Sequence, residues 1–572
     1  MAMPEESGSK LICDTLLRLG VECVFGLPGT QNVALFEALR TSSLRTVIAT
    51  HELSAAMMAN GYHRASGRVA ALITIPGPGF MWALAGVAEA ALDSAALIHL
   101  VGLPASAPGQ HYQLQAINQA AIAGPLVRAL HTIDRADDIV NVIEAAYADA
   151  LSGEPGPVIV HVARSVLDEP AVRTNGRTAR NGPVGAVEDS SIDEAVRVIR
   201  AAGRCVIFAG QGTHHASVAL TRLAEKLNAP VVTTTSGRGV MAEDHPLSLG
   251  YEFAGDASAT LNELVAASDI VLAIGCKFSH NGSRGFRLRI PVEKLIHVDA
   301  SDEVLGANYP ARLAIRADSA AFIEVLLERI GTLAERPRFA SDELNRFRER
   351  ARAETLAGLV EPRIHGVASG KPADFFSMLR RLLPRDAVLV TDSGMHQSLA
   401  RRHFPVWSPR GLITPTNLQS MGFGIGAATG ACIAAPERTI VALIGDGGLA
   451  MSGMELLTAV RESLRLVVIV FVDGAYGLIR FQQLAATGRT FATEITPPDV
   501  AALAESVGAR YVRFEGDTEN VLRGALDGSG VTLVEVAVGD TLPMHWMRAK
   551  AVARGVAGPR ARTWLKRLLG RR

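Results

Sequence analysis

The sequence predicts an α/β protein of three doubly wound parallel sheets, and three observations carry that expectation. Short β-branched runs closed by glycine recur, such as 439–444 before Gly445 and the run that ends at Asp473. Each reads as a strand buried on both faces, and residues 452–463 between these two read as the crossover helix that parallel neighbours need. The chain has 572 residues, 48% of them hydrophobic, which is room for about three domains with large cores. Two polar stretches, 172–190 and 335–371, cut it into blocks at 1–171, 191–334 and 372–547, with a tail at 548–572.

In the first block, Val24-Phe25 leads into the turn Gly26-Leu27-Pro28-Gly29, and the apolar residues 72–75 lead into Gly77-Pro78-Gly79. Between them a strand hands over to a helix that opens with His51-Glu52 and runs through Asn60-Gly61-Tyr62 to Arg64. An acid in a first helical turn complements the helix dipole, which is the plain reading of Glu52. Residues 82–101 form the most apolar long stretch but hold Glu89, Asp93 and His99. They predict a core helix leading into a strand rather than a membrane span.

The central block repeats the strand, turn and helix rhythm at Cys205 to Gly212, at 231–239, at 270–275 and at 295–299. This is the rhythm of a dinucleotide fold, but Gly210-Gln211-Gly212 has no third glycine in register and does not choose a nucleotide. His214-His215 predicts a solvated helix start rather than a metal pair, because adjacent residues diverge around a helix axis.

In the third block, Asp446 and Asp473 stand 27 positions apart, at the carboxyl ends of two strands. Open α/β sheets place their ligands there. Gly445, Gly447 and Gly448 let backbone N–H groups approach phosphate oxygens, and the carboxylates are hard donors suited to Mg²⁺ or Ca²⁺. A tight strand-to-helix turn is the alternative reading.

Fifty-seven basic and fifty-seven acidic residues cancel, so no global field favours nucleic acid or a membrane surface. The first ten residues lack an apolar signal core, and Cys13, Cys23, Cys205, Cys276 and Cys432 are odd in number among apolar neighbours. Free thiols in a reducing cytoplasm are expected. Past Asp540 there is no acid, and 548–572 carries nine Arg or Lys. A solvated terminal helix is the expectation there, against a cover for the active site, a grip on a CoA phosphate, or a membrane-surface helix.

Taken in order, these segments resemble the thiamine-diphosphate-dependent decarboxylases and carboligases, nearest to the acetolactate synthase large subunits. The resemblance implies thiamine diphosphate and Mg²⁺ as cofactors, a pyruvate-like 2-oxo acid as substrate, and active sites between subunits of a homodimer or homotetramer. It implies a first domain that binds the pyrimidine and a third that binds the diphosphate. Relatives use the central domain for FAD, for ADP or for structure alone, and a structural use is the expectation here. By this resemblance Glu52 would contact the aminopyrimidine and promote its proton-accepting tautomer, with Pro28, Gly29 and Gly77 facing the same ring. Gln115 would face substrate, with His51, His111 and Arg480 as further residues to handle it. His396 and Gln397 would lie on the diphosphate side, and Met421 would wedge the cofactor into a bent form. Gly445, Gly447, Gly448, Tyr476, Gly477 and Leu478 would cradle the diphosphate. Asp446, Asp473 and the Ala475 carbonyl would hold the metal.

The chain departs from the family in three places. The usual asparagine pair is Val472-Asp473, so a neutral metal ligand becomes a charged one. Arg480-Phe481-Gln482-Gln483 stands where the synthases read Arg-Gln-Trp-Gln, and Phe80 and Trp82 are bulkier than their counterparts. The favoured expectation is a decarboxylating carboligase. A non-ligating 2-oxo acid decarboxylase or 2-hydroxyacyl-CoA lyase is the nearer alternative, and an inactive cofactor-binding regulatory relative the further one.

Overall fold

The structure is a computed structural model that describes residues 6–103, 111–171, 188–251, 258–283, 285–332, 338–356 and 361–539. The basic tail lies outside these residues.

Three six-stranded sheets succeed one another along the chain, and every pairing within them is parallel. The first contains β1 (Cys23–Gly26), β2 (Arg45–Ile48), β3 (Ala70–Thr74), β4 (Leu97–Leu103), β5 (Ala129–Ile133) and β6 (Pro157–Ala163), in the order β2-β1-β3-β4-β6-β5. The central sheet contains β7 (Cys205–Ala209), β8 (Val231–Thr233), β9 (Ser248–Gly250), β10 (Ile270–Ile274), β11 (Leu295–Asp299) and β12 (Leu313–Arg316). Its order, β9-β8-β7-β10-β11-β12, is that of dinucleotide-binding folds. The third contains β13 (Val388–Thr391), β14 (Leu412–Ile413), β15 (Ile440–Gly445), β16 (Leu466–Val472), β17 (Arg510–Arg513) and β18 (Val531–Ala537), and its order, β14-β13-β15-β16-β18-β17, repeats that of the first. The runs are buried on both faces, as parallel strands covered by helices must be.

The helices that matter for the site are α1 (Glu52–Ser66), α2 (Pro78–Leu92), α3 (Ser341–Leu356), α4 (Met395–His403), α5 (Phe423–Ala434), α6 (Asp446–Ser452) and α7 (Gly477–Thr487). Helices α1 and α5 join the first and third sheets into one hydrophobic core. They cross at backbone contact: a Cβ on Gly61 would overlap the Ala427 carbonyl, and one on Gly430 would overlap the Met58 carbonyl. Only glycine permits this approach. The central sheet has a core of its own.

Two segments differ from expectation. The connection between β15 and β16 is helical from Asp446 onward and is interrupted at Gly453–Glu455, because Glu455 turns toward the first sheet. Part of the charged stretch 335–371 is the helix α3, whose Leu344 and Ala351 sit in the central core. Its charge pattern concealed an apolar stripe. Among the described residues no helix is long and apolar enough to cross a membrane, and all five cysteines are buried and unpaired.

Candidate active site

The third sheet ends in a knot of carboxylates and backbone amides. Gly445, the last residue of β15, caps α6, so Asp446 is the first helical residue and is almost fully buried. The Gly447 N–H donates to Asp446 Oδ1 (2.8 Å), while the N–H groups of Asp473 (3.2 Å) and Gly474 (2.8 Å) donate to Oδ2. One carboxylate therefore ties together the ends of β15 and β16. Burial holds its carboxyl above the ordinary range, more than its three backbone donors lower it. Asp473 Oδ1 accepts the Ala475 N–H (3.2 Å), and Oδ2 lies against Gly477 and 3.9 Å from Arg480 Nη2.

A cavity of about 310 Å³ opens beside this knot and is lined by Gly445, Asp446, Gly447, Gly448, Asp473, Ala475, Tyr476, Gly477 and Leu478, with His396 and Met421 facing them. The glycines keep it open: a Cβ on Gly447 would stand 3.2 Å from both the Met421 Cε and the Tyr476 ring. His396 is buried with its Nε2 unpartnered, and burial lowers it to about 4, so at neutral pH it is an uncharged ring offering one free nitrogen. A glycine cradle, hard oxygen donors and an orphaned nitrogen form a donor set suited to a metal-bound diphosphate.

Gln397 does not line this cavity. Its carboxamide nitrogen donates to Thr414 Oγ1 (2.7 Å) and to the Pro415 carbonyl (2.9 Å), so it braces the chain behind the site. Asp392, absent from the expected site residues, matters more. It is fully buried at the end of β13, accepts the N–H groups of Ser393 (2.7 Å) and Gly422 (3.0 Å), and burial raises it to about 6. An acid directly after an apolar run was the signal that could have marked it.

The first sheet forms a second cluster at the equivalent strand ends. Glu52 opens α1 half-buried, and the capping His51 accepts the Leu53 N–H on Nδ1 (3.1 Å). A neutral His51 therefore carries its proton on Nε2. The backbone of Gly79 passes beside Glu52, where a Cβ would come within 3.2 Å of Oε1. Gly77 (φ +64°) donates its N–H to Gln119 Oε1 (3.3 Å) and packs against Gln115, whose Oε1 is buried without a partner. Gly29 packs on Ile75, Pro28 is exposed, and Trp82, 59% exposed, stands edge-on to His51. His111 lies exposed beside Tyr112.

Among the described residues, none that lines the Asp446 cavity precedes Pro362, and Glu52 does not reach it within one protomer. The third sheet does reach the first from behind: Glu455 accepts the N–H (3.1 Å) and the hydroxyl of Thr50, two residues before Glu52.

A separate cavity of about 350 Å³ lies at the strand ends of the central sheet, between Gly212, Ser236, Lys277 and Asp299. Gly210 faces the Gly275 carbonyl so closely that a Cβ would overlap it. That glycine is required by the crossing of two turns. His214 is not solvated as expected: its Nε2 contacts the Ser236 carbonyl (2.6 Å), its Nδ1 accepts the Arg410 N–H (3.3 Å), and only His215 is exposed.

Fold and site define a doubly wound protein with two repeated sheets that each end in a polar cluster and a dinucleotide-type sheet between them. Three models of thiamine pyrophosphate enzymes match it, the N-terminal TPP binding domain over residues 6–122, the central domain over 192–326 and the C-terminal TPP binding domain over 392–536. The chain is 30% identical over 559 residues to a probable acetolactate synthase large subunit of Methanocaldococcus jannaschii, covering 94% of this chain and 93% of the relative. It is 30% identical over 531 residues to a probable 2-ketoarginine decarboxylase of Pseudomonas aeruginosa, covering 91% and 92%. It is 29% identical over 480 residues to the acetolactate synthase isozyme 1 large subunit of Escherichia coli, covering 83% of each. The chain belongs to the thiamine pyrophosphate enzyme family.

Proposed function

We propose that the protein is a thiamine-diphosphate- and Mg²⁺-dependent enzyme that decarboxylates a small 2-oxo acid and joins the remaining fragment to a second carbonyl, in the manner of an acetolactate synthase. The observation that carries this reading is the presence in one chain of two separate clusters, a glycine-rich cavity with buried carboxylates at the end of the third sheet and a single carboxylate at the end of the first. Asp446, Asp473 and the Ala475 carbonyl would hold the metal. Gly445, Gly447, Gly448, His396, Tyr476, Gly477 and Leu478 would surround the diphosphate, with Met421 at the ring. Thiamine diphosphate, when bound, supplies the electron sink for loss of the carboxylate. Glu52 holds or accepts a proton at its carboxylate, Pro28, Gly29 and Gly77 leave room for a flat ring, and Gln115 Oε1 is a free acceptor for substrate or cofactor. His51 can move a proton only at Nε2.

The working unit in this reading is a homodimer, or two dimers joined in a tetramer, in which Glu52 of one copy faces the Asp446 cavity of another. Exposed Met81, Trp82 and Leu114 beside the first cluster and Met451, Met454 and Ile479 beside the second suit such a contact. We assign the domains to 1–171, 191–334 and 372–547 and, with buried free thiols throughout, the protein to a reducing cytoplasm. A structural role for the central cavity follows from the use of Gly210 in packing, and a yellow, flavin-bearing purified protein would overturn it.

The deciding experiment measures CO₂ release from a panel of 2-oxo acids with thiamine diphosphate and Mg²⁺, and identifies the product. Acetolactate from pyruvate supports the carboligase. Aldehyde alone, above all from 2-ketoarginine, supports the second reading, a non-ligating decarboxylase, which the 30% identity to a probable 2-ketoarginine decarboxylase favours. No CO₂ from any acid, with cofactor bound, leaves the inactive relative.

A further inference from the structure

Glu89 is a buried acid for which this reading has no use. It lies on α2, fully buried, where an apolar side chain of similar size would be cheaper to bury. Its Oε2 accepts the Ser420 N–H at 2.9 Å, across from the first sheet to the third, while Oε1 is buried with no hydrogen-bond partner. Burial, and then the neighbouring charge of Asp93, hold its carboxyl above the ordinary range. One turn further on, Asp93 Oδ1 accepts the Thr416 N–H (3.2 Å) and hydroxyl (2.6 Å), and Oδ2 accepts Arg64 (2.9 Å).

These bonds converge on the turn that carries Met421. Gln419 (φ +65°) and Gly422 (φ +82°) both adopt left-handed backbone, a conformation that a non-glycine residue keeps only when its surroundings impose it. Asp93 pins the turn at Thr416, Glu89 at Ser420 and Asp392 at Gly422. Met421, between the last two, is thereby set with its Cε over Gly447 in the cavity. At its other end α2 begins beside Glu52.

We propose that Glu89 is a positioning residue, whose hydrogen bond to the Ser420 N–H sets Met421 in the cofactor cavity and so the bent form in which thiamine diphosphate is held. This rests on the function proposed above. Glu89 touches neither the metal knot nor the glycine cradle, so its loss should leave the grip on the diphosphate intact and disturb only the ring.

The test uses the holoenzyme and four measurements: thermal midpoint, thiamine diphosphate affinity with saturating Mg²⁺, hydrogen–deuterium exchange at thiazolium C2, and kcat. In Glu89→Leu, affinity should change by less than about threefold, while C2 exchange and kcat fall together by about tenfold to a hundredfold, the loss expected of a misplaced group at distance. Glu89→Gln keeps an acceptor for Ser420 and should restore both rates. In a Met421→Ala background, Glu89→Leu should cost nothing further, because the two act as one unit. Unchanged C2 exchange in Glu89→Leu overturns the proposal. So does a loss of affinity and midpoint in proportion to kcat, or full additivity with Met421→Ala. If Glu89→Leu does not fold, failure of Glu89→Gln to hold C2 exchange near the wild-type rate overturns it. A wild-type protein that binds no thiamine diphosphate overturns the functional reading first, which is seen before any variant is made.

Discussion

The first and third sheets share one strand order, yet they finish their clusters in opposite ways. At the end of the third sheet, Asp446 and Asp392 are buried and accept backbone N–H groups from several segments, and the cavity beside them is walled within one protomer. At the end of the first sheet, Glu52 is half-exposed, His51 is exposed, and the bulky Trp82 stands open to solvent. The same scaffold is closed and preorganised on one side and left open on the other. A site that must hold charge needs fixed dipoles before the ligand arrives, whereas a site completed by another surface needs accessible groups. Variants of the two clusters should therefore fail differently.

The largest effect belongs to the open side. Glu52→Gln should lower turnover by about 10²–10⁴-fold, the range for loss of a proton-transfer group, with thermal midpoint and cofactor affinity unchanged. Steady-state kinetics alongside calorimetry checks both halves, and an unchanged rate removes Glu52 from its role. On the closed side, Asp446→Ala should weaken Mg²⁺ and thiamine diphosphate binding by about a hundredfold or more, beyond what supporting ligands cost. It should also lower the thermal midpoint of the apoprotein. Three backbone donors lose their acceptor, and each buried orphan costs about 1–3 kcal/mol. If the apoprotein melts as before, the closed cluster is not the structural knot described here.

These differences bear on how much could be read from the sequence. The inner strands were legible because they are short apolar runs, such as Ile440–Gly445 and Ile270–Ile274, whereas the edge strand Arg510–Arg513 is charged at both ends and carries no such signal. The Asp446 knot was legible because its parts lie within a single strand-helix-strand unit. The start of α6 was misplaced because Asp446 is both the turn residue and the first helical residue. The direction of Gln397 was not legible, because its carboxamide turns back to Thr414. Glu89 and Glu455 carried no legible role, since their partners lie 331 and 405 residues away in sequence. Neither spacing nor periodicity connects such positions; only the packing of α1 on α5 brings them together.

The seam between the sheets should respond to acid. His63 and His214 both neighbour Arg410, and His99 sits on β4 with its ring against Thr74 of β3; burial lowers each to about 3. In the unfolded chain a histidine takes up its proton near pH 6.5. Between pH 6.5 and 3 the unfolded chain thus binds more protons, and stability falls as pH drops, by up to about 1.4 kcal/mol per pH unit for each such histidine. Asp392 and Asp299, raised to about 6, act in the opposite sense, since their protonated forms suit the fold. Each of the three histidines is displaced further from its ordinary value than either acid, so the histidines should win. Denaturant midpoints measured from pH 7 to 4 should fall throughout, and His63→Phe should flatten the slope. A midpoint that rises on acidification would give the acids the larger share.

The smallest effect sharpens the comparison most, because it asks whether the closed cluster is built from charge or from donors. Asp473→Asn removes one negative charge but retains an oxygen that can accept the Ala475 N–H, as Oδ1 does now. A neutral ligand attracts a cation less, so Mg²⁺ should bind less tightly. The same change relieves repulsion of a diphosphate and removes the negative charge that competes with it for Arg480, 3.9 Å from Oδ2. The two effects oppose, and at a partly solvated site a charge pair near 4 Å is worth only about 1–4 kcal/mol before compensation. The net change should therefore stay below about tenfold, with Mg²⁺ weaker and thiamine diphosphate tighter at saturating Mg²⁺, both measurable by titration calorimetry. If both ligands weaken by more, the second carboxylate is itself a structural part of the knot, and the closed side depends on its charge as much as on its geometry.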